Sequence, residues 1–313
     1  MLQLGIFLAA GSALLCGCGD VCASQGAKQV GVVRATFLAL LMGTLVLALM
    51  GALAFERLGL SGRALLLSLP LGLVAGAMTS IGYSAGYKGM AQGPLAIVSP
   101  VVASDGAIAG VLAILLLHER VDAWQAGTLV AIFAGVLLAS TSVKELSLLL
   151  HCGERKALSV RGVHWGMLAG LAFGTMLFAL GAGAQAWGWY LSLFWSRCVA
   201  TSVLGVIVGQ KWLRDGWRQR HAAKGLRAAG RSHLRAGGYL ALGGGICETV
   251  GLALFSMGTQ IASTSIVAMI ASTFTLIPLV FGVLRLGERP AANQWLGVGL
   301  VVIGLVLLGI KPA

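Results

Sequence analysis

Ten apolar runs, each about as long as a bilayer is thick (roughly 17–25 residues), leave this 313-residue chain few ways to fold. They lie near 3–23, 33–55, 65–87, 93–117, 123–142, 164–186, 189–209, 237–258, 262–285 and 292–310. Lipid offers a backbone amide no partner outside the protein, so continuous runs of this length are helices. Composition agrees: 10% of the residues are charged, against about 25% in an ordinary soluble domain, too few to coat a water-facing surface. The expectation is an all-α integral membrane protein with ten transmembrane helices, multi-pass in a cell (plasma or inner) membrane. The first run is not a removable signal, since no basic residue precedes Lys28 and nine further spans follow.

The runs repeat. Leu115-Leu116-Leu117-His118-Glu119-Arg120 recurs as Leu284-Arg285-Leu286-Gly287-Glu288-Arg289. At the same offset of 169, Ile97-Val98 falls on Ile266-Val267, Gln125 on Gln294 and Gly135 on Gly304. This divides the chain into a five-helix unit at 1–142, a polar connector at 143–163 and a second five-helix unit at 164–313. An odd number of spans per unit inverts the second relative to the first, which gives two inverted five-helix repeats.

The formal charge of +12 invites a nucleic-acid reading, but eight of the 22 Lys and Arg residues crowd between Lys211 and Arg235, in a segment between two spans. Such a segment is a lipid-facing, orientation-setting loop. No aromatic platform accompanies it, so no nucleic acid is expected. Sixteen basic residues fall in loops on one side and four (Arg57, Arg63, Arg120 and Lys311) on the side of the N-terminus. The positive-inside rule then places both termini outside.

Charge within a span is costly, which makes each case a site candidate. Glu248, in the glycine-rich Gly243-Gly244-Gly245-Ile246-Cys247-Glu248, is the foremost, as a proton-coupling or cation-binding carboxylate. Asp105, midway along the fourth span, suits a cationic or zwitterionic solute. Asp20, near the end of the first span, reads as an interfacial carboxylate. Arg34 and Arg197 lie in the second span of each unit; either pairs with Asp20, Asp105 or Glu248, or binds an anionic group on the solute. Thr79, Ser80, Tyr83, Tyr87, Ser272 and Thr273 could line a cavity. Glu119-Arg120 and Glu288-Arg289 read as helix-end ion pairs that mark turns.

Two further patterns have plainer explanations. Cys16, Cys18 and Cys22 cluster in the first run, but no histidine joins them, and cysteine is a common small packing residue in helices. Neither a metal site nor a disulfide framework is expected, and no cofactor. Gly82-Tyr83-Ser84-Ala85-Gly86 fits the hydrolase elbow G-x-S-x-G, yet lies where a helix is expected and not in a strand-to-helix turn. Its glycines read as a close-packing pair, as do Gly72/Gly76 and Gly166/Gly170/Gly174.

The segment from Gly82 to Pro100, the ending from Val111 to Arg120 and their second copy from Gly245 to Arg289 resemble the EamA-type branch of the drug/metabolite transporter superfamily. The resemblance implies a cavity lined mainly by the third, fourth, eighth and ninth helices. It also implies roles for a basic residue in the second helix of each unit (Arg34, Arg197) and an acid in the eighth (Glu248). Where many relatives carry Tyr-Pro this chain reads Asp105-Gly106 and Phe274-Thr275, and the family is drawn with cytoplasmic termini, opposite to the charge count. The expected function is a secondary active transporter that moves a small polar or amphipathic metabolite or drug by alternating access, with proton-coupled export as its mode. It would act in the lipid bilayer as a monomer or homodimer and not as an enzyme. A non-transporting scaffold or sensor, or an intramembrane hydrolase using Ser84, are the alternatives.

Overall fold

The apolar runs become helices, and half of them extend past the run by a turn or more. The computed structural model describes residues 2–53, 62–92, 98, 101–141, 160–219, 231–286 and 291–310. In the first unit these form α1 (Leu2–Val30), α2 (Val32–Leu53), α3 (Gly62–Gln92), α4 (Asp105–Leu116) and α5 (Ala123–Ser140). The second unit holds α6 (Val160–Trp187), α7 (Trp189–Gln219), α8 (Arg231–Ile261), α9 (Thr264–Ala271), α10 (Leu276–Leu286) and α11 (Ala292–Ile310). Among the described residues eight segments are long and apolar enough to cross a membrane, with Asp105–Leu116 and Ala292–Leu308 as shorter apolar helices. Large apolar side chains stand exposed around the bundle, Phe7 at 74% and Leu53 at 80% among them. In water such a surface would drive aggregation; toward lipid tails it is neutral.

The fourth and ninth spans are not the continuous helices that their hydropathy predicts. The ninth runs as α9, loses its α-helical pitch in a 3-10 turn at Ser272–Thr275, and resumes as α10. The fourth turns at Ala103 and Ser104 before α4 begins. At the offset of 169 these two residues fall on Ser272 and Thr273, so both repeats break their helix at the same place. Hydropathy cannot register such a break, because both pieces stay apolar.

Packing shows the repeat more fully than the sequence does. α1 lies along α8 as α6 lies along α3; α8 packs on α2 as α3 packs on α7; and α4 meets α6 as α9 and α10 meet α1. The pairs α2–α7, α4–α9 and α5–α11 each join equivalent helices, as neighbours across a pseudo-two-fold axis do. The first two helices of each unit correspond at a different offset, 157. Gly31 and Gly188, the two described glycines with positive φ (86° and 88°), are so related and turn the chain between α1 and α2 and between α6 and α7. Gly17 and Gly174 are also so related. A Cβ at Gly17 would meet Ile277 and the carbonyl of Phe274, and one at Gly174 would meet Ile108 and the carbonyl of Asp105. Offsets of 157 and 169 differ by twelve residues, and the extra length lies within 211–230, which takes in the end of α7 and most of the basic segment.

Local capping explains one repeated residue. Gln125 accepts from the backbone N–H of Asp122 (3.2 Å) and Gln294 from that of Ala291 (2.9 Å), each closing the first turn of its unit's last helix. On the axis, Thr44 of α2 and Thr201 of α7 share a hydrogen bond of 2.8 Å. A double-mutant cycle on Thr44→Val and Thr201→Val should return a coupling of about 0.6 kcal/mol, the usual size for a polar contact between spans. Additive losses in thermal unfolding would show that the contact is not formed.

Candidate functional site

Glu248 occupies the middle of the apolar stretch Ala236–Ile261 of α8. Two donors from different helices converge on its Oε1. Arg197 of α7 donates from Nη2 at 3.1 Å, and Tyr83 of α3 donates from its hydroxyl at 2.8 Å. Arg197 is 1% exposed, the bulkiest fully buried side chain among those described. A guanidinium keeps its charge at any accessible pH, so burial this deep requires the carboxylate beside it. The alternatives left open by the sequence thus resolve into the pair Arg197–Glu248.

The pairing is incomplete on the arginine. Its Nε and Nη1 are buried and find no acceptor among the described residues. Tyr83 is held by packing as well as by its hydroxyl, its ring standing edge-on to Phe173 with centroids 5.3 Å apart. Cys16 of α1 donates its thiol to the backbone carbonyl of Glu248 at 4.0 Å, a packing contact from a cysteine that invited a metal reading.

Two more carboxylates lie within the spans, and neither forms an ion pair among the described residues. Gly19 lets the backbone of α1 run against α8, such that a Cβ there would sit 3.3 Å from that of Glu248. The next residue, Asp20, therefore lies level with Glu248 along the bundle and is partly buried. Asp20 thus sits part-way along the span, level with Glu248, and not at the helix end where an interfacial carboxylate was expected. Asp105 is 4% exposed and opens α4, where its Oδ1 accepts from the N–H of Gly106 at 2.7 Å. A carboxylate at a helix start is favourably placed against the helix dipole. Gly106 permits the close approach of the second repeat, since a Cβ there would meet the side chain of Ser272 and the carbonyl of Ala268.

Other candidates fall elsewhere. Arg34 is exposed near the start of α2 and forms no ion pair among the described residues, which takes it out of the charged group. Its counterpart at the offset of 157 is Leu191, whereas Arg197 answers Leu40, so the two arginines are not equivalent positions. Thr79, Ser80, Ser272 and Thr273 are buried, and each hydroxyl donates to a carbonyl of its own helix or turn (to Ala75, Gly76, Met269 and Ile270) at 2.7–3.1 Å. Tyr87 lies in α3, with its side chain outside the described residues. Ser84 sits inside the unbroken helix α3, with Gly82 packed against the ring of Phe173; no strand-to-helix elbow is present there.

Glu119 does something the sequence did not reveal. It makes no ion pair with Arg120; its Oε1 accepts from the backbone N–H of Thr264 at 2.6 Å and its Oε2 from that of Ser265 at 2.9 Å. A residue of the first repeat thereby caps a helix of the second. Glu288 and Arg289 lie outside the described residues.

The comparisons with known proteins agree with this architecture. The family described as "EamA-like transporter family" matches residues 3–141 and again 160–310. A solved structure described only as a crystal structure of a protein superposes with a TM-score of 0.65 at 14% identity, covering 97% of this chain and 96% of that one. At that identity the likeness establishes the fold alone. No curated protein matches the chain.

Proposed function

The chain belongs to the EamA-like transporter family, and from that premise we propose that it is a secondary carrier for a small amphipathic solute bearing a positive charge, exchanged against protons. The observation that carries this reading is the imbalance of the interior group. Three carboxylates, Asp20, Asp105 and Glu248, stand within the spans against one fully buried guanidinium, that of Arg197, which Glu248 alone pairs among the described residues. Charge of this kind within a bundle marks a solute or proton path. The place suits it too, beside helices broken at equivalent points of two repeats.

The ion pair reassigns roles. A proton on Glu248 would leave Arg197 buried with no counter-charge, a costly state. Asp20 and Asp105 have no cation beside them among the described residues, so each can take a proton without stranding an arginine. In this mechanism a cationic group on the solute and the coupling protons compete for Asp20 and Asp105. Glu248, fixed by Arg197 and Tyr83, supplies a constant negative field. The two unmatched N–H groups of Arg197 offer an anchor to a carboxylate, which extends the range to zwitterions. Alternating access follows from rocking of the repeats about the axis marked by Thr44 and Thr201.

The test is proton movement in proteoliposomes loaded with a pH-sensitive dye and given a pH gradient. Small organic cations, zwitterions and anions are added in turn. Cations or zwitterions should trigger proton flux in the parent protein, and Asp105→Asn should cut that flux at least about tenfold (roughly 1.4 kcal/mol on the barrier). Flux with none of the three classes would end the carrier reading. Flux in Asp105→Asn and Asp20→Asn that matched the parent at every pH would remove those residues from coupling.

A further inference from the structure

Glu119 joins the repeats at the face of the bundle where α1 begins, and the contact is more elaborate than a helix cap requires. α4 ends at this face and α9 starts from it. The carboxylate spans the two, with one oxygen on the N–H of Thr264 and the other on that of Ser265. Both of those residues are fully buried. A third element closes the contact. Gln185, near the end of α6, donates through Nε2 to the hydroxyl of Thr264 at 3.0 Å, to the carbonyl of Thr259 in α8 at 3.2 Å and to Oε1 of Glu119 at 3.5 Å. The carboxylate therefore meets α9 directly and α6 through Gln185, which in turn ties the contact to α8.

The backbone is bent to deliver it. His118, just before Glu119, is the one described non-glycine residue with positive φ, at 53°. At the equivalent position the second repeat carries Gly287, the residue for which that conformation is free of strain. The first repeat holds a strained backbone where it reaches across to the other repeat, and strain of this sort persists where a switch or clamp needs it. The bond is also strong of its kind: a carboxylate on backbone amides at a helix N-terminus gains from both charge assistance and the helix dipole.

We propose that Glu119 is the latch of a gate on the N-terminal face, closed in this structure and released each time that face opens. The proposal rests on the carrier reading. If the repeats rock about an axis through α2–α7, the α4 end and the α9 start separate when the N-terminal face opens and meet again when it closes. Glu119 and its two amides are the polar contact that such a motion must break there. Its release exposes the N–H groups of Thr264 and Ser265 and frees Gln185.

Two measurements on the full chain in nanodiscs and proteoliposomes test this. The first is hydrogen exchange of the segment 259–271, which needs no solute. Glu119→Gln should speed exchange at Thr264 and Ser265 about tenfold, together with the end of α6 around Gln185, while the α5–α11 pair exchanges as in the parent; Glu119→Asp should fall between. Unchanged exchange in Glu119→Gln would overturn the latch. The second is a reversible cross-link between Glu119→Cys and Ser265→Cys, with each single variant as control. Oxidation should stop solute-driven flux and a reductant should restore it. Flux that continues in the oxidised double variant would show that this contact never opens, leaving Glu119 a structural cap. A parent protein with no flux for any solute would refute the carrier reading, and the exchange measurement would still decide whether Glu119 holds the face shut.

Discussion

Glu248→Gln should cost about 3–5 kcal/mol of stability, the usual penalty for removing one partner of a buried ion pair. The amide can still accept from Tyr83, but it leaves the guanidinium of Arg197, 1% exposed, with no negative charge against it. Arginine cannot shed its charge. Arg197→Met should cost less, because the remaining carboxylate keeps the Tyr83 hydroxyl at 2.8 Å and can be neutralised by a proton. Replacing both, Arg197→Met with Glu248→Met, should bring stability back to within about 1–2 kcal/mol of the parent, since apolar side chains of similar volume replace buried ion pairs at little cost. Thermal unfolding of the four proteins in one detergent measures all of this. A Glu248→Gln protein as stable as the parent, or a double variant worse than both singles, would mean that the pair does not carry the burial of Arg197. Proton flux in the rescued double variant then separates support from transport. It should be lost although the protein is stable, because the constant field on the solute has gone.

Gly243 and Gly245, two residues apart in α8, should respond to alanine with opposite signs. A Cβ at Gly245 would drive into the backbone of Ala39 in α2, so that whole helices must part. Overpacking against a neighbour that cannot yield costs about 1–3 kcal/mol. At Gly243 a Cβ meets nothing within 4 Å. There the ordinary helix preference for alanine applies, worth up to about 1 kcal/mol in favour of the variant. The Gly243-Gly244-Gly245 run looks uniform, yet only part of it is a contact surface. Equal effects of the two substitutions in thermal unfolding would contradict the α2–α8 packing.

Much of the architecture was legible in advance, and the reasons for the remainder are physical. Run length and the Glu-Arg repeat pointed to ten spans in two units, because lipid restricts the backbone to helices and duplication leaves local copies. The second offset, 157, stayed hidden since what α1 and α6 share is mostly small residues: Gly5 with Gly162, Gly17 with Gly174, Gly31 with Gly188. Glycine-rich helices resemble one another by chance, so only contacts reveal which glycines correspond. Glu248, Asp105 and Arg197 were visible because charge stands out in an apolar run. Their pairing was not, as Arg197 and Glu248 lie 51 residues apart on separate helices. Glu119 was misjudged as a local helix ending, since its partners are 145 and 146 residues away and are backbone amides, which carry no residue-type signature. One small sign was available: His118 stands where the other copy has Gly287.

The pseudo-two-fold axis has a consequence for how such a chain could have arisen. A single five-helix ancestor pairing with an inverted copy of itself would have repeated every side chain on both sides of the axis. An arginine–glutamate pair near that axis would then have come as two buried cations and two buried anions. Within one chain the two copies can differ: one carries Arg197 and Glu248 while the other has Leu40 and Thr79 at the matching positions. The lopsided interior needs two copies that can differ, which a symmetric pair of identical chains does not have, and it gives the two halves of the cycle unequal chemistry. Apolar or hydroxyl residues at both positions would make the two halves even again, with Arg197 and Glu248 matched to Leu40 and Thr79.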